Sequence, residues 1–273
     1  MDLSATSTSK PTIWFHIHIP KTAGSTLRTI LSRNFQKSYF TAVSLLEHHK
    51  LSIDDTREIV QKHHRWLRCY SDHRLSLDVP FDSDLIEARA IAFVRDPVSQ
   101  VLSQYNFQRN HHKRRTEVEA MTLNEFVEKK FARPQKNAKR RNSRGLQLQR
   151  LIGSEFGKNL GDIKELLDQG KLFLFPLEEF DLACTCMEKM FPESFTSTAY
   201  IHANRSKEKA DPDPGFEQQL RQYVAPDFDL HNMSQWFLNS LSTAIFENPG
   251  HLKASVADLQ VRCRTLQSQR AAA

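Results

Sequence analysis

Apolar residues fall in short blocks whose spacing changes along the chain. Residues 13–19, IWFHIHI, are β-branched and aromatic and stop at Pro20, which predicts a strand. Leu27, Ile30, Leu31 and Phe35 then recur at helical spacing over 26–35. The segment 41–68 reads as mostly helical, with Leu45, Leu46, Ile59, Val60 and Leu67 as its core face. Residues 90–94, AIAFV, form a second buried strand that ends at Arg95-Asp96-Pro97. Pro97 suits the first turn of a helix, which runs from Val98 through Leu102, Tyr105 and Phe107. Thr122 and Glu125 make a capping box for a helix over 123–131, and another helix is expected at about 145–152. A third strand at 171–175 leads into a helix over 178–190, and 199–202 has the composition of a short fourth strand. The turn DPDPG at 211–215 precedes helices over 216–224 and 229–246. After a break at Pro249-Gly250, residues 251–269 place Leu252, Val256, Leu259, Cys263 and Leu266 on one face, a last helix for packing on the domain or a partner. Strands alternating with helices predict an α/β fold, one domain with a parallel sheet flanked by helices. The expected boundaries are a disordered arm over 1–12, the domain over 13–248, and a C-terminal amphipathic helix and tail over 249–273.

Composition adds limits. With 273 residues, 39% hydrophobic and 26% charged, the chain builds a buried core, and four cysteines are too few for a disulfide framework. Apolar runs stay far below the ~20 residues that span a bilayer, and residues 1–12 hold no apolar signal segment; the expectation is a cytoplasmic protein with no membrane span. The net charge of +6 is local: residues 109–144 carry twelve Lys and Arg against four Glu, leaving −2 for the rest. Arg114, Arg115, Arg140 and Arg141 head this segment's basic runs as candidate ligands for an anionic acceptor, the alternative being a solvated loop. Nucleic acid is disfavoured, since the only aromatics there are Phe126 and Phe131, where strand-binding surfaces interleave exposed rings.

Of the eight glycines only Gly24 lies within the first 144 residues, inside PKTAGST at 20–26. A strand, a short polar loop and a helix make an anion site, because backbone N–H groups point outward and the helix N-terminus is partly positive. Lys21 adds a full charge there, and Thr22, Ser25 and Thr26 add hydroxyls, with Ala23 and Gly24 between. The loop is not the nucleotide-hydrolase motif, which needs a leading glycine and a late lysine. Asp96 is the one strand-end acid in a position to hold Mg²⁺.

Together, HIPKTAGSTL at 18–27 and FVRDPVSQVLSQY at 93–105 resemble the sulfotransferase superfamily, most closely the carbohydrate O-sulfotransferase branch with the heparan sulfate 2-O and 6-O enzymes. The resemblance implies a P-loop nucleotide-kinase-like sulfotransferase fold and the donor 3′-phosphoadenosine 5′-phosphosulfate (PAPS), with no metal. It implies that loop 21–26 cradles the 5′-phosphosulfate and that Arg95 and Ser103 take the 3′-phosphate. Weaker similarities follow at NSRGLQLQRLIG (142–153), FPLEEFD (175–181) and DFDLH (227–231). At HANRS (202–206), the resemblance assigns Asn204, Arg205 and Ser206 to the nucleotide. The acceptor is expected to be a hydroxyl of a saccharide or small natural product. Lys21 is the expected stabiliser of the leaving phosphate and His73, in CYSDHRL at 69–75, the expected base. Asp72 stands where the family often has glycine and is a candidate to orient the imidazole; His63, His64 and His18 are the reserve bases. Rival readings are an ATP-dependent small-molecule kinase and a non-catalytic polyanion-binding module. The pairs His16/His18 and Cys184/Cys186 lack zinc spacing.

Overall fold

A computed structural model describes residues 10–41, 50–111, 121–131, 146–153, 159–201 and 214–272. Five strands form one all-parallel sheet: β1 (Thr12–Ile17), β2 (Tyr39–Phe40), β3 (Cys69–Asp72), β4 (Glu87–Val94) and β5 (Leu172–Pro176), in the order β2-β3-β1-β4-β5. β1, β3, β4 and β5 are almost wholly buried, as parallel strands covered by helices must be, while the short edge strand β2 is half-buried. Trp14, Phe15, Tyr70, Phe93 and Phe175 are among the largest fully buried side chains.

The helices are α1 (Gly24–Phe35), α2 (Ile53–His63), α3 (Pro97–His111), α4 (Leu123–Phe131), α5 (Leu146–Ile152), α6 (Leu160–Asp168), α7 (Phe180–Met190), α8 (Phe216–Ile245) and α9 (Pro249–Ala272). A smaller apolar cluster joins α3, α4 and the start of α8 through Val101, Tyr105, Val127, Leu220 and Phe228. In this topology β1 is the turning point. The chain builds β2 and β3 on one side of it, then crosses to β4 and β5 on the other. Open parallel sheets place ligands beyond the carboxyl ends of the strands at such a point.

Several expectations are corrected. Within 41–68 the described helix is only Ile53–His63, and 42–49 lies outside the described residues. Residues 199–201 form no strand; Ala199 and Tyr200 pack instead against the core. The two helices expected over 216–246 are present as the two arms of α8, which meet at a kink where Val224 leaves helical geometry just before Pro226. Pro249 opens α9 rather than breaking the chain, and α9 packs on α7 through a buried Leu259. The arm before residue 10 lies outside the described residues.

Candidate active site

Where β1 ends, the backbone makes a nest. Lys21 and Ala23 take left-handed φ values of 67° and 57° around Thr22, so successive N–H groups turn to one side. No side chain caps α1, and among the described residues the N–H groups of Lys21 and of Ala23 through Thr26 make no hydrogen bond. Gly24 is the first residue of α1 and has no positive φ. Its constraint is space: a Cβ there would sit 1.7 Å from His18 Nε2. Thr22 is buried and donates its hydroxyl to the Ile19 carbonyl at 2.8 Å, so its side chain holds the turn rather than facing the cavity.

A cavity of about 610 Å³ opens over this loop. It is lined by His18, Lys21, Ala23, Gly24, Ser25 and Thr26 after β1, by His73 after β3, and by Arg95 and Ser103 from β4 and α3. Each strand end delivers its residue to the same edge of the sheet. The Lys21 ammonium lies 4.1 Å from the Phe107 ring centre, and burial, then Arg95, holds it below its ordinary pKa. Burial also works against the Arg95 charge, with Glu178 and Asp96 in partial compensation. The Arg95 guanidinium makes no hydrogen bond or close ion pair among the described residues. Two half-buried cations facing one cavity without a bonded carboxylate amount to a site built for an anion.

The Arg95 backbone is fixed from α5. Its N–H donates to Gln147 Oε1 (2.8 Å) and its carbonyl accepts from Gln147 Nε2 (2.7 Å). Asp227 of α8 in turn accepts the N–H groups of Leu146, Gln147 and Leu148, capping α5 from outside. Asp96 is the cap of α3, accepting the Ser99 N–H at 2.7 Å, while its own N–H donates to Glu178.

Three imidazoles form a column between sheet and cavity. The His16 and His18 rings stack at 5.3 Å, and His18 and His73 at 3.7 Å with planes 24° apart. Burial lowers the pKa of all three; His18 falls to about 3, with His73 and Arg28 adding to the effect. His73 stands exposed at the rim. Its Nδ1 lies 3.3 Å from the His18 carbonyl, which only accepts, so Nδ1 carries the proton and Nε2 holds the lone pair. Asp72 does not orient this ring: its carboxylate takes the N–H, Nε and guanidinium of Arg74. His63 sits with Phe40 and Trp66, and His64 with the Val60 and Gln61 carbonyls, near the start of β3 and away from the cavity.

The structure therefore brings together Lys21, Ala23, Gly24, Ser25, Thr26, His73, Arg95 and Ser103. Asn204, Arg205, Ser206, Arg114, Arg115, Arg140 and Arg141 lie outside the described residues. Sequence reasoning missed the cavity's apolar wall of Phe107, Leu177, Phe180 and Tyr200. Phe107 was within reach, since it follows Ser103 by one helical turn. Tyr200 was not: its hydroxyl donates to Asp181 and its N–H to Cys263 Sγ, contacts made only by the tertiary fold.

An anion nest, two cations and an imidazole at the carboxyl edge of a parallel sheet define a group-transfer enzyme of the α/β class. The model of the family described as the sulfotransferase family matches residues 10–159, and the chain belongs to that family. No curated protein matches the chain. The matched span runs from β1 through α5 and so holds the nest, His73, Arg95, Ser103 and Gln147. No helix among the described residues is long and apolar enough to cross a membrane.

Proposed function

We propose that this sulfotransferase moves the sulfuryl group of PAPS onto a hydroxyl of a saccharide or small natural product, releasing adenosine 3′,5′-bisphosphate. The observation that carries the reading is one cavity lined by two cations, Lys21 and Arg95, and by a histidine. The nest and Lys21 take the 5′-phosphosulfate; Arg95, as a planar fork, and Ser103 take the 3′-phosphate. Phe107, Leu177, Phe180 and Tyr200 supply an apolar wall for the purine. The donor brings a sulfuryl group on a phosphate leaving group. His73 Nε2 takes the acceptor proton as the acceptor oxygen bonds to sulfur, while the nest amides and Lys21 hold the negative charge that stays on the departing phosphate. Both cations are already in place, so no bridging metal is required by this scheme. Arg28 and Arg150, whose charges reach His73, favour an anionic group on the acceptor. Arg114, Arg115, Arg140 and Arg141 are proposed to draw the same acceptor in.

Mass-tagged PAPS offered with glycans, lipids and small metabolites tests the reaction. Labelled product is expected from a hydroxyl acceptor, and His73→Ala should lower kcat by ~10²–10⁴ with donor binding intact. Product formation with ATP in place of PAPS would overturn the reading in favour of a kinase.

A further inference from the structure

His18 stands at the head of the string HIPKTAGSTL and lines the cavity over the loop. Its ring is 8% exposed, and its Nδ1 is buried with no hydrogen-bond partner. One part of it fills the space that a Gly24 side chain would need, the Cβ position lying 1.7–2.5 Å from three ring atoms. The ring also stacks on His73 at 3.7 Å, and its own carbonyl lies 3.3 Å from His73 Nδ1. Behind it, the His16 ring stacks at 5.3 Å and is tied to Ser71 Oγ at 2.8 Å, so the column is anchored on β3.

We propose that His18 is a positioning residue that joins the donor loop to the base, its ring seating Gly24 beneath the nest and holding the His73 imidazole with Nε2 toward the acceptor. The proposal rests on the sulfuryl-transfer reading for what His73 does, while the mechanical link stands on the packing alone. A ring held between Gly24 and His73 ties the seat of the leaving group to that of the proton acceptor. It also keeps water from one face of His73, which favours the uncharged, proton-accepting imidazole. The charged groups facing His73 are Asp72 and Arg74 on its own strand end, Arg28 on α1 and Arg150 on α5. Asp72 is bound to Arg74, and both Arg28 and Arg150 oppose protonation. His18 adds apolar contact where these add charge.

The test reads the His73 ring by NMR titration without nucleotide, beside calorimetry with adenosine 3′,5′-bisphosphate and turnover with PAPS. In the native protein the His73 midpoint should lie below the ordinary ~6.5. In His18→Ala it should move up by about half a unit or more as water reaches the ring, and kcat should fall ~10-fold or more while bisphosphate affinity changes less than threefold. His18→Asn, a smaller flat side chain that fits the same space, should fall between the two on both readouts and serves if His18→Ala does not fold. An unmoved His73 midpoint in either folded variant overturns the proposal, as does a loss of bisphosphate affinity equal to the loss of kcat, the mark of a residue that only supports the loop. Failure of the native protein to bind the bisphosphate would sink the PAPS reading, while the midpoint comparison still judges the link.

Discussion

Ala23 and Gly24 are neighbours under opposite constraints. Ala23 has a left-handed φ of 57° and a methyl packed against the core; Gly24 has ordinary φ and no room, because His18 occupies the Cβ position. Gly24→Ala should therefore cost ~1–3 kcal/mol by overpacking. Ala23→Gly should cost nothing measurable, since relief of ~1 kcal/mol of left-handed strain offsets the freer unfolded chain. Thermal unfolding of the two variants checks this, and the order of their midpoints is the expected result. The lone glycine in the first 144 residues marked the loop in the sequence. Which of glycine's two properties mattered was not legible, because the ring that fills the space belongs to a residue six positions earlier, brought back by the turn. The candidate cations were legible for a simpler reason. Lys21 and Arg95 each follow a strand the pattern shows, and parallel strands deliver their ends to one edge, whereas His73 was reached only through the family resemblance.

At the scale of elements, α5 is the part on which the site depends most indirectly. A seven-residue helix is far too short to hold itself. Asp227 caps its N-terminus, and the Lys50 ammonium reaches the Gln149 carbonyl near its other end. So held, it presents Gln147 to the Arg95 backbone. Gln147→Leu should leave the Arg95 N–H and carbonyl unpaired and cost ~1–3 kcal/mol of stability. It should also weaken adenosine 3′,5′-bisphosphate binding without removing any group that touches it; calorimetry beside thermal unfolding measures both. Helices with caps or strong periodicity were readable, as at 123–131, where Thr122 and Glu125 form the expected reciprocal bonds. The strands β2 and β3 were not, because YF and CYSD are too short to show a period. The helix α6, capped by Asn159 and Asp162, was also overlooked. The kink before Pro226 was readable, because proline cannot continue the hydrogen-bond ladder, and Val224 leaves helical geometry there.

For the whole molecule, the buried imidazoles make stability fall on the acid side of neutrality, before the paired carboxylates titrate. His16 and His18 have folded pKa values depressed below the ordinary 6.5. The unfolded chain takes up protons there that the folded chain refuses, so their contribution is full above pH ~6.5 and is lost as pH falls below it. Asp227 acts in the opposite sense. Burial raises its pKa to about 6 against three backbone donors, so between pH 6 and ~4 the folded chain binds a proton that the unfolded chain does not, and acid relieves a penalty. Unfolding midpoints measured from pH 7.5 to 4.5 should fall with acid. The fall should be shallower in His18→Asn and steeper in Asp227→Asn, whatever their starting stabilities. A pH slope unchanged by His18→Asn would contradict the assignment of that fall to the column.

The central claim is that one cavity holds a donor with two phosphate stations. Isothermal calorimetry in EDTA, comparing adenosine 3′,5′-bisphosphate with adenosine 5′-monophosphate, tests it most directly. The bisphosphate should bind at micromolar concentration or better and the monophosphate at least ~10-fold more weakly, the difference reflecting ~1.5–3 kcal/mol of charged hydrogen bonds from Arg95 and Ser103. In Arg95→Ala that difference should largely disappear. Equal binding of the two nucleotides, no binding of either, or binding that appears only when Mg²⁺ is restored would contradict the account.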